Sequence, residues 1–228
     1  MKTYAIIPSG GSGLRTSHST PKQYLKFGGK ELIAYTLETF QECDFIDEII
    51  IAAQPDFFPL LESIKENYSF TKITKIVEGG CERQFSVYNA LKSISASEND
   101  LVAVHDAARP LLPKNVLENA INSAKIFDNV VVAINAKDTL IKGAENVDTY
   151  IDRKEIYYAQ TPQIFRYRIL MDAMISADKE NFIGTDESML VKYASNSVKI
   201  VNGSTLNFKV TTDDDIKLFQ LVAESQLP

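Results

Sequence analysis

The sequence predicts an α/β protein with a Rossmann-like, mainly parallel sheet and helices on both faces. First, short runs rich in Ile and Val alternate with segments of helical period, the pattern of strands joined by crossover helices. Second, the runs at 49–51 and 130–132 show no polar alternation, as expected of strands buried on both faces. Third, 228 residues, of which 45% are hydrophobic, are enough for a large core without disulfides or metals.

The predicted elements follow one another along the whole chain. Strands are predicted at 3–8, 47–53, 74–78, 101–105, 129–134 and 198–201. Helices are predicted at 31–41, 56–66, 82–94, 114–127, 167–179, 187–194 and 213–225. The last helix opens with Asp213, Asp214 and Asp215, and acidic residues are typical of a helix N-terminus.

The alternation of strands and helices breaks between about 136 and 158. Two short extended pieces at 138–141 and 149–151 flank a polar turn at 142–146, which predicts a projecting β-hairpin arm. A hairpin of this size cannot bury its own apolar residues, so we expect a second copy of the chain to cover it in a homodimer. Because no linker or repeat is present, residues 1–228 are predicted to form a single domain.

Composition excludes several classes of protein. The net charge of −6 argues against a nucleic-acid binder. No apolar run approaches the ~18 residues of a membrane-spanning helix, and the short apolar N-terminus is typical of a first strand rather than a signal peptide. Cys43 and Cys81 form no disulfide framework or metal motif, which favours a reducing, cytoplasmic location.

A glycine-rich loop after the first strand is the strongest local motif. It contains Pro8, Ser9, Gly10, Gly11 and Gly13. Glycines in such a loop let backbone N–H groups approach a phosphate closely. Arg15 and Lys22 would supply the positive charge that phosphoryl or nucleotidyl transfer requires.

Three other interpretations of this loop compete with phosphoryl or nucleotidyl transfer. A Walker-type ATPase is disfavoured because no Gly-Lys-Ser/Thr follows. A dinucleotide fingerprint matches at Gly11 and Gly13, but it fails at Thr16 and in the irregular stretch before Lys22, where a continuous helix should begin. The third interpretation is a glycine-rich turn with solvated cations.

An acid follows the strand predicted at 101–105. Ligands bind outside the carboxyl ends of strands in an open α/β sheet, so Asp106 is expected on the same edge as the glycine loop. A carboxylate there can hold Mg²⁺ together with substrate phosphates, or it can be a turn or N-cap acid. Arg109 would orient Asp106, meet a ligand or form a surface ion pair, and His105 is assigned no role. Lys209 lies in an apolar, strand-like context, where an unpaired inward lysine is costly.

Taken together, these segments closely resemble the 2-C-methyl-D-erythritol 4-phosphate cytidylyltransferases of the non-mevalonate isoprenoid pathway. The matching motifs, in chain order, are 10–15, Pro21-Lys22-Gln23-Tyr24-Leu25, Gly79-Gly80-x-Glu82-Arg83-x-x-Ser86-Val87, 105–110, Asp138-Thr139, Asp152-Arg153, Gln160-Thr161-Pro162-Gln163, Thr185-Asp186-Glu187-Ser188 and Asn207-x-Lys209-Val210-Thr211. Each motif alone is weak, whereas the ordered set covers almost the whole chain and is highly specific. The resemblance implies a nucleotide-diphospho-sugar transferase-like fold.

The resemblance also implies a reaction and a set of site residues. The reaction is transfer of CMP from CTP to the sugar-alcohol phosphate 2-C-methyl-D-erythritol 4-phosphate, with Mg²⁺ as cofactor and release of pyrophosphate. Arg15 and Lys22 are the implied catalytic residues, and Asp106 is the implied metal ligand. The implied nucleotide-binding residues are Pro8, Ser9, Gly10, Gly11, Gly13, Gly80, Ser86, Asp106, Ala107 and Lys209. The implied acceptor-binding residues are Asp106, Arg109, Thr139, Arg153, Thr185 and Lys209.

Two of these acceptor-binding residues, Thr139 and Arg153, are implied to reach the neighbouring subunit's acceptor from the arm. Without the resemblance, Arg153 is typical of a cross-strand ion pair and residues 185–187 of a helix N-cap. The chain departs from the family pattern at Ser9, at residues 16–17 and at Cys81. None of these departures removes a charge that the reaction needs. Residues 203–207 contain no acid, so the resemblance supplies one metal-binding carboxylate.

The predicted mechanism is in-line attack of the acceptor's phosphate oxygen on the α-phosphorus of CTP. Because a phosphate monoester is already an anion at neutral pH, neither a covalent enzyme intermediate nor a general base is required. The nearest rival function is a ribitol-5-phosphate cytidylyltransferase, which would share the loop, the strand acid and the arm. An NAD-binding dehydrogenase and a non-catalytic nucleotide sensor are the more distant alternatives.

Overall fold

The strands of the chain form one large sheet and two small ones in a computed structural model that describes residues 1–10 and 20–225. The described strands are β1 (Thr3–Pro8), β2 (Lys26–Phe27), β3 (Lys30–Glu31), β4 (Glu48–Ala53), β5 (Ile73–Glu78), β6 (Leu101–Val104), β7 (Asn129–Asn135), β8 (Leu140–Gly143), β9 (Val147–Ile151), β10 (Tyr157–Arg166) and β11 (Lys199–Asn202). The described helices are α1 (Leu32–Gln41), α2 (Phe58–Asn67), α3 (Arg83–Ser93), α4 (Lys114–Phe127), α5 (Tyr167–Lys179), α6 (Glu187–Tyr193) and α7 (Asp213–Glu224). Short 3₁₀ turns lie at Lys22–Tyr24, Pro55–Phe57 and Arg153–Glu155.

The central sheet has the strand order β11-β7-β10-β6-β1-β4-β5. The pairs β1–β4, β1–β6, β4–β5 and β7–β11 are parallel, whereas β10 runs antiparallel to both β6 and β7. The predicted mainly parallel α/β architecture is therefore confirmed. The predicted strands at 3–8, 47–53, 74–78, 101–105, 129–134 and 198–201 agree with observed strands to within one residue at each end.

Strand β10 is the large element that the sequence analysis missed. Residues 160–163 were recognised only as a motif, because a proline inside a run of apolar residues normally argues against a strand. The structure accommodates Pro162 at an irregularity, where the pairing of β10 with β7 shifts register between Ala159 and Gln163. Before this shift, Tyr157–Ala159 pair with β7 alone, and after it the strand pairs with both β7 and β6.

Helices cover both faces of the sheet, and the strand side chains alternate between the two. In β4, Ile49 and Ile51 pack into the core beneath α1, α2 and α4, while Ile50 packs into the core beneath α3, α5 and α6. This alternation explains why the predicted strands are apolar throughout. None of the helices within residues 1–10 and 20–225 combines the length and hydropathy of a membrane span.

A third, smaller core lies beside the carboxyl edge of the sheet. Its buried members are Phe27, Leu32, Ala108, Val210, Ile216 and Phe219. It packs α7 and the short β2–β3 hairpin against the loop that follows β6. Helix α7 begins at the predicted acidic run and is capped by Thr212 and Asp215 in a reciprocal capping box. The C-terminal helix thereby anchors residues 207–211 next to Asp106.

The predicted hairpin arm is present as strands β8 and β9, which form a two-stranded antiparallel sheet apart from the central one. Strand β8 lies two residues nearer the turn than the expected piece at 138–141, and β9 begins two residues earlier than the expected piece at 149–151. Ile141, Val147, Tyr150 and Ile151 are all exposed in the single chain. A role of this arm in dimer formation stays a prediction.

Candidate functional site

The loops at the carboxyl ends of β1, β5 and β6 lie on one edge of the central sheet, because these strands run parallel. Gly10 follows β1, Gly79 and Gly80 follow β5, and Asp106 follows β6. The segment around Lys209 joins this edge, because Val210 N donates to Ala108 O at 2.8 Å. The expectation that the glycine loop and Asp106 share one edge is met by the described residues.

Asp106 lies at the centre of an ion cluster. Its Oδ1 accepts from Arg83 Nε at 3.0 Å, and its Oδ2 contacts Arg109 Nε at 3.2 Å and Lys209 Nζ at 3.1 Å. Burial by itself would raise the pKa of Asp106, but the charges of Arg83, Lys209 and Arg109 outweigh burial and hold that pKa well below its usual range. Asp106 is therefore an ionised acid at every pH at which the protein would be assayed. We refer to Arg83, Asp106, Arg109, Glu187 and Lys209 as the Asp106 cluster.

A second buried acid belongs to this cluster. Glu187 is fully buried at the start of α6, and both of its carboxylate oxygens accept from Arg83 Nη1, at 2.7 and 2.8 Å. Burial raises the pKa of Glu187, and the Arg83 guanidinium opposes that shift. Arg83 thus bridges two carboxylates that come from different parts of the chain.

Arg109 and Lys209 are held in the cluster by the segment that precedes α7. Arg109 Nη1 donates to Asn207 O at 2.7 Å, and Asn207 Nδ2 donates in turn to Thr161 O at 2.7 Å. The prediction of a strand-like context for Lys209 is wrong, because residues 203–210 adopt no strand and the Lys209 ammonium is ion-paired. Instead of pairing with a strand, this segment is held by the backbone hydrogen bond from Val210 N to Ala108 O and by the small core beside it.

Lys22 is the first residue of the 3₁₀ turn Lys22–Tyr24, and only 8% of its surface is exposed. Its Nζ donates to Thr211 O at 3.4 Å, two residues beyond Lys209. The turn is fixed to the end of β1 because Gln23 Nε2 donates to Ser9 O at 2.8 Å. This arrangement places Lys22 beside the segment that delivers Lys209.

The predicted nucleotide residues after β1 and β5 converge on Ser86. Ser86 Oγ accepts from Gly80 N at 3.0 Å, and a Cβ on Gly10 or Gly79 would approach the same oxygen to 3.5 or 3.0 Å. A Cβ on Gly80 would lie 2.3 Å from Phe85 Cβ, so only glycine fits where the chain turns into α3. Gly10, Gly79 and Gly80 are half-buried and form a wall of backbone at the same edge of the sheet as the Asp106 cluster.

Pro8, Ser9 and Ala107 support the walls of the site. Ser9 is buried, its N donates to Ala52 O at 2.7 Å, and its Oγ is 2.9 Å from Tyr24 Oη. Ala107 is also buried, and its carbonyl accepts from Thr36 Oγ1 at 3.0 Å. Gly11, Gly13 and Arg15 lie outside the described residues.

Three further predicted residues take part in none of the hydrogen bonds and ion pairs that the structure describes for the Asp106 cluster. Thr185 is exposed immediately before α6, where Asp186 is the N-cap and accepts from Met189 N at 2.8 Å. Thr139 is exposed just before β8, and Arg153 is exposed after β9, where its guanidinium donates to Lys137 O. Among the hydrogen bonds of the described residues, none joins Thr139 or Arg153 to Asp106.

The functional residues that the sequence analysis missed are Arg83 and Glu187. Both were part of the matched motifs, but neither received a role. Local sequence offers a weak signal for Arg83, which is the first residue of α3, and none for Glu187, whose burial depends on how α6 packs into the core that it shares with α3 and α5. Only the folded chain brings the two residues together.

His105 forms the inner support of the Asp106 loop. Its Nε2 is 3.1 Å from Arg109 O, which can only accept, so Nε2 carries the proton. Its Nδ1 therefore accepts from Thr161 Oγ1 at 3.1 Å, and Thr161 Oγ1 accepts from Asp106 N at 3.0 Å. Burial lowers the pKa of His105 to about 4, which keeps the ring neutral. His105 thus has a structural role rather than a catalytic one.

The buried, neutral His105 should make the protein less stable below neutral pH. The unfolded chain protonates this ring below about pH 6.5, whereas the folded chain resists protonation down to about pH 4. The free energy of unfolding should therefore fall by up to about 3 kcal/mol between these two pH values. Urea unfolding at pH 7.5 and pH 5 crosses the upper part of this range and should show a loss of about 2 kcal/mol. His105→Gln should lack most of it, and an equal loss in both proteins would contradict the assignment.

Comparison with known proteins adds an independent finding. The chain matches the family model described as 2-C-methyl-D-erythritol 4-phosphate cytidylyltransferase over residues 3–225. It is 38% identical over 232 residues to the 2-C-methyl-D-erythritol 4-phosphate cytidylyltransferase of Geobacter metallireducens, with 100% of both chains covered. It is 38% identical over 215 residues to the protein of the same name from Clostridium acetobutylicum, with 93% of each chain covered.

Solved structures give the same result. The 4-diphosphocytidyl-2C-methyl-D-erythritol synthase of Anaerococcus prevotii superposes with a TM-score of 0.85 at 30% identity, covering 98% of this chain and 96% of that one. The 2-C-methyl-D-erythritol 4-phosphate cytidylyltransferase of Francisella tularensis superposes with a TM-score of 0.82 at 30% identity, covering 97% of this chain and 99% of that one.

Proposed function

Because the chain belongs to the 2-C-methyl-D-erythritol 4-phosphate cytidylyltransferase family, we propose that the Asp106 cluster is where the reaction of this family takes place. The enzyme is a nucleotidyltransferase that transfers CMP from CTP to 2-C-methyl-D-erythritol 4-phosphate in isoprenoid biosynthesis. The observation that supports this placement is a buried carboxylate among three cationic side chains at the carboxyl edge of the sheet. Such a cluster suits two substrates that both carry phosphate groups.

The reaction forms one P–O bond and breaks another. A phosphate oxygen of the acceptor attacks the α-phosphorus of CTP, and the bond from that phosphorus to the β-phosphate breaks, so that pyrophosphate leaves with the bonding electrons. The attacking oxygen is already ionised near neutral pH, so no side chain has to remove a proton. The barrier is the approach of two anions, which fixed positive charge lowers.

Lys22 is the proposed catalytic cation of the described part of the chain. It is nearly buried and lies beside the segment of Lys209, so its charge is poorly screened by water. Arg109 and Lys209 are proposed to hold phosphate oxygens of the two substrates. Arg15 is proposed as a second catalytic cation on the basis of its sequence motif, since it lies outside the described residues.

The cytosine and ribose are proposed to bind along the backbone of Gly10 and Gly80, with Ser86 behind them. Space supports this proposal, because a Cβ at Gly79 would approach the Ser86 hydroxyl to 3.0 Å and one at Gly80 would lie 2.3 Å from Phe85 Cβ. A pyrimidine is small enough to be recognised by backbone groups at such a wall. Pro8, Ser9 and Ala107 are proposed to shape the phosphate side, and Gly11 and Gly13 belong to the same proposal from sequence.

Mg²⁺ is the proposed cofactor, with Asp106 as its protein ligand. A carboxylate offers about four acceptor positions, and the three cationic partners of Asp106 leave room for one more ligand. In the described residues no group of three or more His, Cys, Asp or Glu side chains could hold a metal. The residues therefore fit Mg²⁺ only together with substrate phosphates, as is usual for this ion. When bound, Mg²⁺ would neutralise charge on the triphosphate.

A pyrophosphate-release assay with CTP and Mg²⁺ tests the proposed function. We expect release with 2-C-methyl-D-erythritol 4-phosphate and a lower kcat/KM with ribitol 5-phosphate. The reverse preference would overturn the choice of acceptor. Binding of CTP without release of pyrophosphate with either acceptor would instead favour a nucleotide sensor and overturn the reaction itself.

A homodimer through the hairpin arm is proposed as the working form. The support is an arm, with Ile141 57% exposed and Tyr150 70% exposed, that lacks a core of its own. Thr139 and Arg153, at the two ends of this hairpin, are then proposed to reach the acceptor bound in the partner subunit, and Thr185 to contact the acceptor within its own subunit. A cytoplasmic location is also proposed, supported by the free thiols Cys43 and Cys81.

Placing a charge on the arm should split the dimer. We expect Tyr150→Glu to sediment as a monomer and to lose most of its activity, because a buried charge in the interface is unpaired and the partner's arm is displaced. Sedimentation velocity and the pyrophosphate assay measure the two effects. Leu221→Glu on α7 alters an apolar residue of similar exposure, 67%, away from the arm and should change neither. A Tyr150→Glu protein that behaves like the unmodified enzyme would contradict the dimer.

A further inference from the structure

Arg83 connects two acids that belong to different parts of the site. Its Nε donates to Asp106 Oδ1 at 3.0 Å, and its Nη1 donates to both oxygens of Glu187 at 2.7 and 2.8 Å. Glu187 is fully buried and follows Thr185 by two residues. One planar guanidinium therefore joins Asp106, the proposed metal ligand, to the segment that carries the proposed acceptor contact.

The first turn of α3 holds this acceptor segment at a further point. Gln84, the next residue of α3, accepts from Gly184 N at 2.9 Å and donates to Phe182 O at 3.1 Å. From the other side, Gln163 on β10 donates to Asp186 Oδ2 at 2.9 Å. Residues 182–188, which we call the acceptor segment, are thus fixed between α3 and β10. Of these links, the one through Arg83 extends to Asp106.

The same turn of α3 also borders the proposed nucleotide site. Arg83 lies between Gly80 and Ser86, which are joined by a 3.0 Å hydrogen bond from Gly80 N to Ser86 Oγ. A movement of Arg83 toward Glu187 or Asp106 alone would leave this hydrogen bond intact, because neither acid takes part in it. The nucleotide wall and the acceptor segment can therefore be separated by experiment.

We propose that Arg83 and Glu187 are positioning residues that set where the acceptor phosphate lies relative to the α-phosphorus of CTP. This inference rests on the proposed function. Glu187 acts through Arg83, because its carboxylate is buried and both of its oxygens are engaged by the guanidinium. The planar guanidinium of Arg83 supplies a positive charge and also fixes the directions of its hydrogen bonds to the two carboxylates. A lysine ammonium between two acids would supply only the charge.

A purely structural ion pair predicts a different outcome. In that case, removal of either partner lowers the midpoint of thermal unfolding and leaves the kinetic constants of the folded enzyme unchanged. Misplacement of the acceptor instead lowers kcat, since a shift of about 1 Å in a reacting group can cost about 100-fold in rate. It also raises KM for the acceptor more than KM for CTP.

The test compares Glu187→Gln, Arg83→Lys and the double variant with the unmodified enzyme. We expect each single variant to lower kcat by about 10- to 100-fold and to raise KM for the acceptor by about 10-fold, while KM for CTP changes less than about 3-fold. The double variant should be no worse than the poorer single variant, because both changes break the same link. Arg168→Gln is the matched control, since Arg168 also bridges two acids, Glu98 and Asp172, but at the exposed surface.

Three results would overturn the inference while leaving the proposed function in place. They are unchanged kinetic constants in Glu187→Gln, additive losses in the double variant, and an equal rise of both KM values with a lower unfolding midpoint. If Glu187→Gln does not fold, the kinetic constants of Arg83→Lys test the inference instead. This variant keeps a positive charge between the acids but cannot contact both of them as Arg83 does. Absence of pyrophosphate release by the unmodified enzyme would instead contradict the proposed function.

Discussion

Replacing Lys22 by methionine should lower kcat by a factor of about 10²–10³ while the protein stays folded. Only 8% of the Lys22 surface is exposed, so its ammonium group would face the triphosphate with little water between them. Methionine is unbranched and of similar length, so the packing of the 3₁₀ turn should persist. The contact of Nζ with Thr211 O is long, at 3.4 Å, and its loss should change the free energy of unfolding by about 1 kcal/mol or less.

Lys26→Met is the matched control for this experiment. Lys26 lies four residues further along the chain, and its exposed side chain pairs at 3.2 Å with the buried carboxylate of Glu31, which also accepts from Tyr68 Oη at 3.0 Å. Its replacement should leave kcat unchanged, because none of the described contacts of Lys26 involves the Asp106 cluster, while the loss of one partner of a buried carboxylate should lower the free energy of unfolding by about 1–3 kcal/mol. Pyrophosphate release and thermal unfolding are measured on both variants. Turnover of Lys22→Met within about 3-fold of the unmodified enzyme would remove Lys22 from the mechanism, since an active-site cation should be worth far more.

Local pattern was enough to predict most of the fold, because periodicity and propensity act over short distances. Helices α4 and α5 begin and end at the predicted residues, and β1 does as well. Strand β10 could not be found in this way, since Pro162 breaks the pattern and the strand exists only through its pairing with β6 and β7. Its antiparallel direction is a property of the assembled sheet.

Part of the site could also be predicted from the sequence, because the predicted strands fix which loops share an edge of the sheet. Topology places the carboxyl ends of parallel strands on one edge, so Asp106 could be assigned to the edge of the glycine loop before any coordinates were known. Of the partners of Asp106, Arg109 could be proposed from the sequence, whereas Arg83 and Lys209 could not, because they arrive from elements that are far apart in sequence. The sequence analysis treated Asp106 as a metal ligand or a turn acid that Arg109 could orient, whereas the fold surrounds it with three cations.

The three cations change what Asp106 does before any substrate binds. Arg83, Arg109 and Lys209 would repel one another without a negative charge between them. The carboxylate therefore holds Arg109 and Lys209, the proposed phosphate-binding cations, in place in the free enzyme. Loss of Asp106 should affect folding and catalysis together, and the two effects have to be measured separately.

Asp106→Asn should lower the free energy of unfolding by about 3 kcal/mol, the low end for breaking a buried ion pair because Lys209 is partly exposed. The activity of the folded fraction should fall at least about 100-fold, because the cations are no longer held in position.

In the unmodified enzyme the contribution of ionised Asp106 to the free energy of unfolding is complete above its ordinary pKa of about 4. It is lost as pH falls below that value toward the lower pKa of the folded state. The stability difference between the two proteins should therefore stay constant from pH 6 to pH 8 and shrink below pH 4.

Asp100→Asn is the control that distinguishes the general effect of losing a buried acid from the specific effect of losing Asp106. Asp100 is buried before β6, at the opposite edge of the sheet, and accepts from Lys2 N and Ser97 N, each at 2.8 Å. An asparagine can satisfy only one of these donors, so about 1–3 kcal/mol of stability should be lost. Its kcat should be unchanged, because no cation of the site depends on it. If Asp100→Asn and Asp106→Asn lose activity equally per folded molecule, the charge of Asp106 has no special part in the reaction and the cluster only supports the fold.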